Sequence, residues 1–155
     1  MQIEMLRTVS FLQELTDEEL LGFSSLLTVS ETKPGDRIIS EGTEIDSFFI
    51  VGKGTMHVRR QAQKRQVLLG RIGPGGFFGE VNLFESGNAT ASVYSMDEAT
   101  LASVDYPTLR AFMKNHPAAG YKIVSSLMAE LARRLRQTND RLVNTVFWSQ
   151  RGPGV

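Results

Sequence analysis

Apolar residues recur along this chain with two different periods, and the changes between them divide it into three parts. Leu20, Phe23 and Leu27 lie at helical spacing. They follow Thr16 and Glu19, a pair three residues apart that reads as a capping box, with Leu15 and Leu20 at the staple positions. A short amphipathic helix is therefore expected, ending near Leu27. From Thr28 to Asp105 the texture changes to short β-prone runs, at 37–40, 47–51, 55–60, 66–71, 91–95 and 99–104. Turn clusters such as Pro34-Gly35-Asp36, Gly52-Lys53-Gly54 and Gly73-Pro74-Gly75-Gly76 separate them. Short strands at this interval predict an antiparallel sandwich, roll or jelly roll. Residues 48–51 are continuously apolar, which suits a strand buried on both faces. Residues 59–65 form a basic, Gln-rich stretch, read as a solvated hairpin tip.

Helical spacing returns at Tyr106, with Leu109 and Phe112 on one face, and Asn115-His116-Pro117 interrupts it. A long helix is expected over about 118–147. Tyr121, Val124, Met128, Leu131, Leu135, Thr138, Leu142 and Thr145 alternate by three and four, giving four heptads of an a/d seam. Ile123, Leu127 and Val143 lie off that seam. A parallel homodimer through this helix is the favoured expectation, over packing on its own sheet alone.

The chain carries 17 basic and 17 acidic side chains and no cysteine. Zero formal charge disfavours a generic nucleic-acid binder, and direct DNA binding by this chain is not expected. The absence of cysteine removes disulfides, thiolate nucleophiles and Cys-ligated metal sites. No apolar run approaches the roughly 20 residues of a membrane span, and the first residues lack a signal-peptide core. The expectation is a soluble, cytoplasmic protein without a membrane segment. The neutral total hides a split: residues 1–120 hold 11 basic and 15 acidic residues, whereas 121–155 hold six and two. Only His57 and His116 are present, too few and too far apart for a jelly-roll metalloenzyme. No hydrolase, P-loop or kinase signature occurs, so no catalytic residue and no metal site are expected.

Candidate chemistry concentrates in Ile72-Gly-Pro-Gly-Gly-Phe-Phe-Gly-Glu-Val-Asn-Leu83. Glycines at 73, 75, 76 and 79 allow sharp turns and close approach to a ligand. Gly79-Glu80 is expected to open a helical turn whose N–H groups suit an anion, while the Glu80 carboxylate can accept from sugar hydroxyls. On the residues alone, a tight β-turn with a capping Glu is the favoured explanation of the segment.

The segment resembles the phosphate-binding cassette of cyclic-nucleotide-binding domains, Gly-Pro-Gly-x-x-Phe-Gly-Glu-x-x-Leu. Pro34-Gly35-Asp36 with Ile39-x-Glu41-Gly42, and Phe48-Phe-Ile-Val51-x-x-Gly54, resemble that family's first turn and central strand. The long helix with Ala132-Arg-Arg-Leu135 is similar to the dimerisation helix of the catabolite activator group of bacterial regulators. The resemblance spans about 10–147 and implies a mainly β, α+β fold: a jelly-roll β-roll flanked by helices, with an N-terminal helix at 10–27, the roll at 28–105 and helices at 106–147. The chain length predicts a single domain over 1–150, and Arg151-Gly-Pro-Gly-Val155 reads as a flexible tail. The resemblance implies that Glu80 holds a ribose 2′-hydroxyl beside Gly79, and that Thr138 and Asn139 touch the base. Phe78, Val81, Asn82, Asn88, Ala89, Thr90 and Ser92 complete the expected ligand-binding set. One departure stands out. The family's phosphate-pairing Arg, nine or ten residues beyond the cassette Glu, falls on Ala89 or Thr90 here, and no Lys or Arg lies between Arg71 and Arg110. Ordinary cyclic AMP or cyclic GMP binding is therefore expected to be weak or lost, since removing one partner of such a charge pair costs ~2–5 kcal/mol.

The expected function is a non-catalytic sensing module for a small effector, a cyclic nucleotide or another nucleotide-like ligand. It would signal through the long helix to an unidentified protein partner or an absent DNA-binding domain. The alternatives are a ligand-independent dimerisation module, the sensor domain of a transcription regulator, and, least favoured, a cupin-type enzyme.

Overall fold

The computed structural model describes residues 2–151, so the expected tail beyond Arg151 lies outside the described residues. Eight strands form two four-stranded antiparallel sheets. The first contains β1 (Thr28–Thr32), β3 (Ser47–Lys53), β6 (Phe77–Phe78) and β8 (Ala99–Asp105), in the order β1-β8-β3-β6. The second contains β2 (Arg37–Ile39), β4 (Met56–Ala62), β5 (Arg65–Ile72) and β7 (Ser92–Ser95), in the order β2-β7-β4-β5. The result is the mainly β, α+β jelly roll that the turn spacing and the cassette resemblance imply.

The helices are α1 (Ile3–Leu6), α2 (Asp17–Ser24), the single turn α3 (Val81–Phe84), α4 (Tyr106–Asn115) and the 34-residue α5 (Pro117–Gln150). They pack on the outer face of the first sheet, and the distal part of α5 continues past the β4–β5 hairpin. The Thr16–Glu19 capping box forms in both directions. Glu19 also takes the Lys122 ammonium at 2.6 Å. That hydrogen bond, then the Thr16 backbone N–H, holds the Glu19 carboxyl below the usual carboxylate range. One cap residue thus ties the N-terminal helix to α5.

The core has two parts. Phe48 and Ile50 of β3 face the helices, packing with Phe11, Phe23, Phe77, Leu109, Ile123 and Leu127. Val51, with Phe49 packed alongside, faces the second sheet, meeting Ile39, Met56, Phe78, Val93 and Leu101. The continuous apolar run at 48–51 is therefore a strand buried on both faces. Two elements escaped the pattern. β1 is exposed except at Thr32, so it has no alternation, and its strand state comes from pairing with β8. Residues 3–12 enter the core through Leu6, Val9, Phe11 and Leu12 without a helical repeat long enough to detect.

On α5, Ala119, Ile123 and Leu127 pack into the domain, so the off-seam positions Ile123 and Leu127 serve the chain's own core, whereas off-seam Val143 is exposed. Tyr121, Met128, Leu135 and Leu142, seven residues apart, are 75%, 63%, 62% and 60% exposed. Gly120 marks the closest approach of α4 and α5: a Cβ there would lie 2.6 Å from the Met113 carbonyl oxygen.

Candidate functional site

The cassette folds as a turn, the short strand β6, a kink at Gly79 and the single turn α3. Gly79 has φ +84°, and a Cβ on it would sit 2.7 Å from the Ser47 carbonyl oxygen, so only glycine fits without strain. The Tyr106 hydroxyl donates to the Gly79 carbonyl at 2.5 Å, pinning the kink from α4. Burial first, and then the Glu80 charge, push the Tyr106 phenol up to about 12. Tyr94 moves the other way, chiefly through the hydrogen bond from Gln66. An ultraviolet absorbance titration is therefore expected to show Tyr94 ionising ahead of Tyr106. The Tyr106 contribution to stability is complete below pH 10 and lost as the pH rises toward 12. The two ionising together would remove this account.

Glu80 precedes α3 with its side chain only 9% exposed. Its partner comes from α5, 54 residues away: Arg134 Nη1 donates to Glu80 Oε1 at 2.9 Å. The same guanidinium lies 4.5 Å from the Phe77 ring centroid and donates to the Phe77 carbonyl at 3.4 Å. Glu130 approaches its Nε at 3.4 Å. Among the described residues no donor takes Glu80 Oε2. The four-residue α3 is too short to sum a helix dipole, so any anion there would meet individual N–H groups.

Arg134 stands between two cavities. The smaller, about 150 Å³, is lined by Ile39, Ile45, Val58, Ile72, Val93 and the cassette residues Phe78, Gly79, Glu80, Val81 and Asn82, with Thr90 and Ala91 closing it. Among the described residues, its only charged lining groups are Glu80 and Arg134. The larger, about 510 Å³, lies between α5 and the β4–β5 hairpin and includes Gln137, Thr138 and Arg141.

Of the expected contacts, then, Phe78, Gly79, Glu80, Val81, Asn82 and Thr90 share the cassette cavity, and Thr138 faces the larger one. Asn88, Ala89, Ser92 and Asn139 line neither. Asn88 forms a β-bridge with Glu44, and Ala89 is a buried core residue. Ser92 Oγ accepts from the Glu41 N–H at 2.8 Å, and strand alternation turns it away from the cavity. Asn139 is exposed on α5. Asn82 donates to the Gly87 carbonyl at 2.8 Å and so shapes the loop behind the cassette. Arg134 was missed as a site residue. It stood in the Ala132-Arg-Arg-Leu135 segment that suggested dimerisation, and nothing in the spacing tied it to Glu80.

The family model for the cyclic nucleotide-binding domain matches residues 29–116, which contain both sheets but for one residue, the cassette and α4. This chain belongs to the cyclic nucleotide-binding domain family. Among curated relatives, the CRP-like cAMP-activated global transcriptional regulator of Mycobacterium tuberculosis is 29% identical over 145 residues, 93% of this chain. This cyclic nucleotide-binding domain spans 63% of that regulator's length. Among solved structures, the N-terminal domain of a transcriptional regulator from Streptomyces coelicolor is similar at 26% identity and a TM-score of 0.73, over 89% of this chain and 94% of that one. The catabolite activator protein of Thermus thermophilus shares the fold at 24% identity and a TM-score of 0.79, over 89% of this chain and 63% of that one. The domain is regulatory in type. Among its described residues no helix is long and apolar enough to cross a membrane, and no three His, Cys, Asp or Glu side chains group as metal ligands.

Proposed function

We propose that this domain senses a neutral, ribose-bearing ligand, such as a nucleoside, and reports its occupancy through α5 in a homodimer. The observation that carries the reading is the Glu80–Arg134 pair in a cavity with no other charge. The two charges cancel, so a cyclic phosphate entering the cavity would find no uncompensated cation and would pay desolvation without a partner. A vicinal diol needs no such partner. It can donate to the free Glu80 Oε2, while Thr90 and cassette N–H groups supply further hydrogen bonds.

Signalling follows from where Arg134 stands. A ligand hydroxyl at Glu80 shares or displaces the Arg134 contact, and Arg134 is rigidly part of α5. Ligand therefore binds one placement of α5 more tightly than another and shifts the population toward it. The exposed heptad face at Tyr121, Met128, Leu135 and Leu142 supports a second copy as the partner, because four large apolar groups in one row are costly to leave in water. In a transcription regulator such a shift would reorient whatever follows α5, and this is the proposed output.

The test pairs calorimetry with light scattering. Adenosine or another nucleoside is expected to bind more tightly than cyclic AMP, and Leu135→Glu to convert a dimer to a monomer. Low-micromolar cyclic AMP binding by the unaltered domain would overturn the ligand assignment. A monomeric unaltered chain would overturn the dimer. Stabilisation by neither class of ligand would favour a ligand-independent dimerisation module.

A further inference from the structure

The outer face of the second sheet, turned away from the smaller cassette cavity, carries a row of charge, of which Arg71 alone also lines the larger cavity beside α5. Strand register sets Arg37 of β2 opposite Tyr94 of β7, Tyr94 opposite His57 of β4, and His57 opposite Arg71 of β5. Arg59, two residues along β4, shares that face and lies 5.2 Å from the Tyr94 ring centroid. Residues 47–79 contain six basic and no acidic side chains, inside a body that is otherwise acidic. Among the described residues, Arg37, Arg59 and Arg71 form no ion pair. Arg59 Nη2 also reaches Met96 Sδ at 3.5 Å, and the Glu41 carboxylate is held by the Gln61 N–H and Arg60.

The imidazole at the centre makes this more than a solvated basic face. Arg59 Nη2 lies 3.2 Å from His57 Nδ1, and Arg71 Nε lies 3.3 Å from His57 Nε2. A guanidinium only donates, and a neutral imidazole accepts at one nitrogen only. In either tautomer, one of these two contacts sets a donor against a donor. Protonating the ring makes both contacts donor to donor and adds a third positive charge. Burial first, and then Arg59 and Arg71, accordingly lower the His57 pKa from its ordinary value. An anion is the missing partner. The two flanking guanidiniums lie on opposite sides of the ring, and a tetrahedral oxyanion can bridge both while accepting from the imidazole. A flat carboxylate has only two oxygens to offer.

We infer that the Arg37–His57–Arg59–Arg71 face with Tyr94 is a binding site for a phosphate group, either inorganic phosphate or the phosphate of a small ester. It is separate from the cassette and does not rest on the nucleoside reading. Binding couples to protonation of His57, with Arg37, Arg59, Arg71 and Tyr94 as the groups facing the ring. The anion raises the His57 pKa, and affinity rises as the pH falls through it.

The test is an NMR titration of the His57 and Tyr94 ring resonances at constant ionic strength. Sulfate serves as the non-titrating tetrahedral probe, followed by inorganic phosphate and glycerol 3-phosphate. The expected result is a saturable shift at His57 with His116 unmoved, a raised His57 pKa, and at least ~10-fold weaker binding in Arg71→Gln and Arg59→Gln. Arg37→Gln gives a smaller loss from a position that does not touch the imidazole. Tighter binding of glycerol 3-phosphate than of inorganic phosphate would identify an ester as the ligand, and equal binding the inorganic ion. A non-saturating shift, one matched by chloride, or one unchanged in all three variants would overturn the site.

Discussion

Thr90→Arg is expected to raise cyclic AMP affinity by roughly 30-fold to several-thousand-fold, the equivalent of regaining ~2–5 kcal/mol from a desolvated charge pair. Thr90 lines the cassette cavity with Glu80, so a guanidinium at 90 would enter a site whose other two charges already cancel. Calorimetry of the variant against the unaltered domain measures the gain, and cyclic GMP serves as a second ligand for the same phosphate contact. Ala89→Arg is the control. Ala89 is buried in the apolar cluster between the sheets, so an arginine there would have to displace core side chains and would destabilise the fold without creating a site. If Thr90→Arg folds normally and leaves cyclic AMP binding unchanged, the missing cation is not what sets ligand choice.

The second large effect concerns the pair that replaces it. Arg134→Ala leaves the Glu80 carboxylate, 9% exposed, without its partner. Arg134 is itself 35% exposed, which reduces the loss below that of a fully buried pair, to about 2 kcal/mol, or roughly 4–8 °C in Tm for a chain of this size. The cost is asymmetric. Glu80→Gln removes the more buried charge and leaves an arginine that can turn to Glu130, so it should destabilise less. A double-mutant cycle measured by thermal and urea denaturation is expected to give a coupling of about 1 kcal/mol or more. Additive effects of the two substitutions would mean that the contact contributes nothing, and the proposed link from cassette to α5 would go with it.

How much of this was legible depends on whether a feature is local. The Thr16–Glu19 box, the Gly79 kink, the doubly buried run at 48–51 and the break at His116-Pro117 are each written within a few adjacent residues, and each forms where the pattern puts it. The strand β1 is not, since it is a strand only because β8 lies beside it. The two stripes on α5 were visible as a heptad seam with extra apolar positions, but the pattern could not assign them. Ile123 and Leu127, off the seam, face the domain, whereas Met128 and Leu135 on it are exposed. The candidate contact at Ala89 followed from counting along the loop, and those at Asn88 and Ser92 from their polar side chains beside it. Alternation and the bridge to Glu44 decide instead that Thr90 and Ala91 face the cavity.

The sequence by itself determined the family, the succession of helix, β-roll and helices, and the absence of a basic residue between Arg71 and Arg110, because glycine placement, apolar period and residue type are properties of short segments. It could not show that Arg134 meets Glu80, that Thr90 rather than Ala89 stands where the cation is missing, or that His57 lies between two guanidiniums. Those are contacts across 54 residues, across a loop and between the neighbouring strands β4 and β5. Only the packing of α5 on the roll and the register of the second sheet bring such groups within hydrogen-bond reach.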